Sequence, residues 1–318
     1  MNLTLDLAKV ALLAAGGWAF AATLRHTAAC ARHDLWLLVI LGVMLVPAAE
    51  LLLPPLYVIV PATWEAPGQP PARWLPLVLG VWALGALVWA ARLAPGLAAL
   101  RRIARSGVRW SDPAALGALA EAARLAGVTR PVTLLRSSEV PVPATWGLRR
   151  PVIALPAAAA GWTAERLRLV LVHELVHVRR QDVMVEALLW LAGALYWFHP
   201  AVWLAAGRVR LERERACDEA VLATGARASD YCGHLVDIMR AATRGARGAV
   251  VGATMAAPCT LERRVRALLA GPGAAPTRPR SGIPLLLVGA VLIYALGALA
   301  PCASGGSEVV RSPAGVGR

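Results

Sequence analysis

The stretch "VLVHELVHVRRQD", Val170–Asp182, sets two histidines four residues apart with a glutamate directly after the first. On a helix, positions i and i+4 share a face, so His173 and His177 can aim both imidazoles at one ion. Glu174 can stand beside that ion without ligating it, which is the His-Glu-x-x-His spacing of zinc peptidases. Zinc lowers the pKa of a water to about 7, and a carboxylate so placed takes the proton and later hands it to the leaving amine. The competing reading is an ordinary helix that happens to carry two histidines. The apolar flanks Val170, Leu171, Val172, Leu175 and Val176 argue against it, because they bury the pair, and a buried polar ring without a partner is costly.

The surroundings specify a helix for this motif. Thr163 is a credible N-cap with Glu165 in the first turn, opening a helix that runs to about Arg180. Upstream, an Ala-rich helix near Asp112–Ala126 is closed by Gly127. Three β-like runs follow it, Val132–Ser137, Val142–Gly147 and Pro151–Pro156, punctuated by Gly, Pro and charge as in a small sheet.

Two histidines leave a zinc site one protein ligand short. Downstream candidates are His199, Glu212, Glu214, Asp218, Glu219 and His234. The segment "RLERERACDEAVLATG", Arg210–Gly225, reads as a helix stopped by Gly225, with Glu214 and Asp218 on one face. Glu214 can ligate while Asp218 accepts the remaining N–H of a ligand histidine. Glu212 points away from that face and is expected to be solvated. The competing reading is a helix laced with salt bridges to its own arginines.

At 58% hydrophobic residues the 318-residue chain is too apolar for an ordinary soluble protein, and its mean hydropathy of +0.58 agrees. Four stretches approach the roughly 20 apolar residues a bilayer crossing needs: Leu3–Leu24, Leu35–Val60, Leu75–Ala94 and Ile283–Ala300. The first lacks a small-residue cleavage site and reads as a retained span. Of the net charge of +14, Lys9 is the only lysine, and the arginines cluster at span ends. Arg25 and Arg32 follow the first span, Arg101, Arg102 and Arg105 the third, and Arg278 and Arg280 precede the fourth. That pattern is the positive-inside rule, not a phosphate-binding face, so no direct nucleic-acid binding is expected. It predicts both termini outside and a cytoplasmic region between the third and fourth spans. The five cysteines make no framework, and four fall on the reducing side, so no disulfides are expected.

Between the histidine helix and Glu214 lies Ala187–Gly207, "ALLWLAGALYWFHPAVWLAAG", which looks like a fifth span. A crossing would put His173/His177 and Glu214 on opposite sides of the membrane. Arginines flank it at both ends, Pro200 interrupts it, and Trp190, Tyr196, Trp197 and Trp203 favour the interface. The expectation is a membrane-associated hairpin at 187–207 that holds the site at the cytoplasmic surface. His199 at its turn is a candidate substrate or site contact.

Taken together, "RRPVIALP", "VLVHELVHVRRQD", "YWFHPAVW" and "LERERACDEAVL", with the flanking spans, resemble the membrane zinc metallopeptidases of the BlaR/MecR antirepressor type. The resemblance covers most of the chain. It implies one zinc per chain held by His173, His177 and Glu214, with Glu174 as the catalytic base. It also implies a gluzincin-like α+β domain hung from four transmembrane helices in a bacterial inner membrane. The domain boundaries expected are 1–95 for three spans, 96–282 for the cytoplasmic peptidase domain, 283–301 for the fourth span and 302–318 for an outer tail. In β-lactam-sensing relatives a penicillin-binding domain follows the fourth span. Here "PCASGGSEVVRSPAGVGR" follows it, so antibiotic acylation is not expected.

The function implied is endoproteolysis of a cytoplasmic protein in a signalling circuit, with a BlaI/MecI-like DNA-binding repressor as substrate. A homodimer is compatible with this reading. The same motif spacing suits a general quality-control membrane protease. A third reading, a non-catalytic signalling scaffold with a structural zinc, leaves Glu174 without a purpose.

Overall fold

The computed structural model describes residues 3–24, 27–52, 56–60, 72–245, 258–270 and 299–303. Two hydrophobic clusters share one long helix, and that helix organises the chain. The first helices are α1 (Leu3–Thr23) and α2 (Ala29–Leu52), followed by strand β1 (Leu56–Val60). Next come α3 (Leu75–Ala91) and α4 (Leu93–Ser106), nearly continuous through Arg92. Two described helices are long and apolar enough to cross a membrane by length and composition, Ala29–Ala49 and Leu75–Ser106; Leu7–Thr23 is a shorter apolar helix.

The second of the expected spans is corrected. The second was read to Val60, but its helix ends at Leu52 and Leu56–Val60 is a strand. The β-branched run "YVIV" past the prolines suits an extended chain better than a helix. For the fourth, residues 283–298 lie outside the described residues, as do the loop at 61–71 and the tail from 304. Its end, Leu299–Ala303, forms strand β6, which pairs in parallel with β1 from Leu56↔Leu299 to Val60↔Ala303. Parallel pairing carries the two segments in the same direction.

The second unit begins with β2 (Val108–Arg109) and α5 (Pro113–Ala126). Asp112 caps α5, and Gly127 ends it at φ 69°, a left-handed conformation that glycine adopts without strain. Strands β3 (Thr133–Ser137), β4 (Ala144–Trp146) and β5 (Val152–Pro156) complete a sheet in the order β2-β3-β5-β4. The β3–β5 pair is parallel and β4 lies antiparallel to β5, so β4 is an edge. Helix α6 (Ala164–Arg180) starts at Thr163, whose side chain accepts a hydrogen bond from the Arg166 amide. From Leu169 to Val178 every residue of α6 is buried. A helix hidden on all sides belongs at the centre of a core, and this one packs with α5, β3, β5 and the helices that follow.

Helix α7 (Asp182–Leu195) leaves the core and α8 (Pro200–Leu222) returns to it. The sequence reading began a separate helix at Arg210, whereas α8 is unbroken from Pro200. Its first half, with Val202, Ala205, Ala206 and Val209, packs with α1, α2 and α7. Its second half, with Cys217 and Val221, belongs to the core around α6. Helices α9 (Ala228–Gly245) and α10 (Pro258–Leu269) close that core.

The α7–α8 hairpin meets α3 through glycines. A Cβ at Gly193 would lie 2.4 Å from the Trp89 ring, which is itself held by the bond from its Nε1 to the Trp190 carbonyl. A Cβ at Gly16 would meet nothing within 4 Å. Both glycines are helical, so alanine gains up to about 1 kcal/mol of propensity at each, while overpacking costs about 1–3 kcal/mol where the ring cannot yield. Gly193→Ala should therefore lower the thermal midpoint in detergent and Gly16→Ala should hold or raise it. Equal midpoints would contradict the packing described.

Candidate metal centre

One turn of α6 separates His173 from His177, and their Nε2 atoms lie 3.3 Å apart. Glu214 on α8 faces both: Oε2 is 3.5 Å from His173 Nε2 and Oε1 is 3.8 Å from His177 Nε2. Donors bound tetrahedrally to one zinc at about 2.0–2.2 Å stand about 3.3–3.6 Å from one another, so the three groups fit an ion with little movement. Glu214 Oε1 is buried and lacks a hydrogen-bond donor among the described residues.

The outer nitrogens of both rings are occupied. His177 Nδ1 is 2.6 Å from Asp182 Oδ2. His173 Nδ1 lies 3.0 Å from the Tyr231 hydroxyl and 3.3 Å from Asp218 Oδ1, and Tyr231 donates to the same Asp218 oxygen at 2.9 Å. Protons on Nδ1 satisfy these contacts and turn both Nε2 atoms toward Glu214; the Nδ1 protons are assigned from this network. Arg264 on α10 clamps Asp218 through two bonds of 2.8 and 2.7 Å and reaches Glu214 Oε2 at 3.2 Å. Arg213 lies 3.5 Å from Glu214 and 2.9 Å from Glu186.

A second donor group exists. Cys217 Sγ is 3.4 Å from His177 Nδ1, and donor atoms of His173, His177 and Cys217 lie within 4.8 Å of one another. The thiol stands on the ring edge already taken by Asp182, away from the Nε2 atoms. Burial, aided by Glu214 and Asp182, pushes its pKa well up, so an ion bound there would have to displace a held proton. The glutamate set is the better-formed site.

Glu174 is buried beside this centre, and its Oε2 accepts a 2.6 Å bond from Thr145 Oγ1 on the edge strand β4. His199 is not brought to the group. It caps the start of α8 at the hairpin turn, fifteen residues before Glu214, or about 22 Å along the helix. Glu212, expected to be solvated, is buried and paired with Arg32 of α2 at 2.8 Å and Arg215 at 2.9 Å. Its face of α8 packs on α2, and a buried carboxylate needs such partners. Asp182, Tyr231 and Arg264 escaped the sequence reading. Only Asp182 left a trace there, as the carboxylate closing the quoted stretch; the left-handed Gln181 (φ 56°) folds the chain so that it reaches back to His177.

The family of BlaR1 peptidases, M56, matches residues 61–268, more than half of the chain. The chain belongs to the BlaR1 peptidase M56 family. Among curated relatives, the regulatory protein BlaR1 of Bacillus licheniformis is 40% identical over 93 residues, 29% of this chain and 16% of its own length. The methicillin resistance mecR1 proteins of Staphylococcus aureus and Staphylococcus epidermidis are 27% identical over 92 residues, again 16% of their length. The aligned part is thus a small share of those proteins. The M56 match covers α3 to α10 and includes every group of the candidate centre.

Charge at this M56 centre is balanced without an ion by a proton. Burial opposes charge on His173, but Asp218 and Glu214 outweigh it and push its pKa up to about 9. Burial would raise Asp218, yet Arg264 and His173 hold it down at about 2. Glu214 is likewise held well below the usual range against the cost of burial, by His173, His177 and the two arginines. Near neutral pH the metal-free site therefore keeps His173 protonated, and a divalent ion must displace that proton. Apparent metal affinity should rise by up to about tenfold per pH unit between 7 and 9 and then level off. Calorimetric titration in buffers of different ionisation enthalpy counts the released protons. An affinity flat from pH 7 to 9 would contradict the arrangement.

Proposed function

We propose that this chain is a membrane-bound zinc endopeptidase in which His173, His177 and Glu214 bind one zinc and Glu174 is the catalytic base. The observation that carries the reading is the convergence of three buried donors on one point, with a non-ligating carboxylate beside it. Zinc, when bound, polarises the scissile carbonyl and acidifies water. Asp182 and Asp218 hold the imidazoles in the tautomer that presents Nε2. Glu174, oriented by Thr145, takes a proton at a carboxylate oxygen and passes it to the departing amine. Arg213 and Arg264 keep Glu214 ionised.

A peptide needs a backbone grip, and β4 is an edge strand with no neighbour beyond β5 among the described residues, its Thr145 touching the base. An extended substrate strand added to β4 would run past Glu174, with main-chain pairing giving sequence-tolerant affinity. A purely structural metal site has no use for a buried carboxylate held in this way. Four spans with a cytoplasmic catalytic domain remain our topology, supported by the arginine distribution and the apolar helices. Similarity to the regulatory protein BlaR1 of Bacillus licheniformis supports a signalling role, and we infer a cytoplasmic DNA-binding repressor of the BlaI/MecI kind as substrate.

Glu174→Gln should retain about one zinc per chain and lose peptide cleavage by three or more orders of magnitude, the scale on which removal of an essential acid–base group acts. Glu214→Ala should lose zinc and cleavage together, and Trp146→Pro on β4 should lower cleavage with zinc retained. Metal analysis beside a cleavage assay separates these outcomes. Full zinc occupancy in Glu214→Ala would remove it as a ligand, and undiminished cleavage by Glu174→Gln would remove the base.

A further inference from the structure

The α7–α8 hairpin runs alongside α2. Glu212 pairs with Arg32 near the start of α2, and the Tyr196 hydroxyl donates to the Val43 carbonyl at 2.9 Å, eleven residues further on. The hairpin therefore rises antiparallel to α2 in its α8 arm and cannot lie across it. On the other side Trp82 Nε1 of α3 donates to the Leu195 carbonyl at 2.9 Å, and Trp197 Nε1 donates to the Trp82 carbonyl at 3.2 Å. Gly85 makes room for the Trp197 ring, since a Cβ there would come within 2.0 Å of it.

Charge marks a level on each of the four helices around this turn. Counting from the turn toward the peptidase core, the first charged residue is Asp34 on α2, Arg92 following α3, Glu186 on α7 and Arg208 on α8. At 1.5 Å per residue these lie about 12–15 Å from the contacts at Val43, Trp82, Leu195 and Pro200. Half the thickness of a bilayer's hydrocarbon is about 15 Å. Four independent rulers thus set the turn near the midplane when the charged residues stand at the headgroups.

We propose that residues 187–207 form a re-entrant hairpin whose turn, Tyr196–His199, reaches the bilayer midplane and whose outer face contacts acyl chains. The inference rests on the membrane reading above and replaces an in-plane hairpin with one along the membrane normal. Backbone groups at the turn agree with that depth. Water is absent from hydrocarbon, so the end of α7 must be satisfied by protein. Leu195 O receives Trp82, and the Tyr196 and His199 amides bond to the Ala192 and Tyr196 carbonyls. The outward side chains Leu191, Phe198, Trp203 and Leu204 are exposed, as are Leu84 and Leu87 on neighbouring α3. They form an apolar belt with no charge between the markers, which suits lipid and not water.

Nitroxide labels at Leu84→Cys, Val183→Cys, Phe198→Cys and Leu204→Cys in bilayer nanodiscs test the depth, with the labelled parent chain as baseline for native cysteines. Collision with oxygen against a water-soluble nickel complex reports immersion. The label at 198 should lie deepest on the hairpin, about 12 Å or more below the headgroups, with 204 shallower and 183 near the aqueous boundary. Position 84 should read as deep as 198. A label at 198 reading like 183 while 84 stays immersed would overturn the re-entrant hairpin alone. Aqueous readings at both 84 and 198 would overturn the membrane reading itself. The 204 label serves if Phe198→Cys fails to fold, since an in-plane hairpin would give it the same depth as 183.

Discussion

A carboxylate buried against two imidazoles is the constraint on which the rest of this chain depends. Glu214 sits among His173, His177, Arg213 and Arg264 with little access to solvent. An ionised carboxylate in such a place must be compensated by cations or protons, or the fold loses several kcal/mol. The two arginines supply part of that compensation. A proton on His173 supplies more when no ion is bound, and a divalent metal exchanges for it. Metal affinity, proton release and the conformation of the centre are consequently one electrostatic problem.

Glu214 reaches the histidines only because α8 is unbroken. The chain leaves the core through α7, turns, and returns through a helix that is part of the apolar bundle at one end and part of the peptidase core at the other. The groups that align the imidazoles come from four places: Asp182 just past the end of α6, Asp218 on α8, Tyr231 on α9 and Arg264 on α10. Such a site exists only when all these elements are docked, which places a functional demand on the helix that precedes the undescribed segment at 271–298.

Much of this was legible in the sequence wherever the cause is local. Thr163 and Gly127 act as caps at the ends their chemistry predicts, and the short β-branched runs became β3 and β5. The turn of the hairpin was readable from Pro200 and its aromatic neighbours. What could not be read are facts fixed by distant partners. Glu212 looks like a surface residue until α2 brings Arg32 to it. The composition of α8 changes from apolar to charged at Arg208, so the sequence suggests two elements where one helix passes between two environments. Arg264 lies 46 residues from Asp218, in a segment whose pattern is that of an ordinary amphipathic helix.

The identity of the donors is the centre of the account, and among the described residues Cys217 offers the one built alternative to Glu214. Zinc-edge X-ray absorption on the purified, metal-loaded chain distinguishes them directly. Nitrogen and oxygen scatterers at about 2.0–2.2 Å, with the imidazole pattern of two histidines and no sulfur shell, are the result this arrangement predicts. A zinc–sulfur distance of about 2.3 Å would assign the third position to Cys217 and contradict the glutamate site.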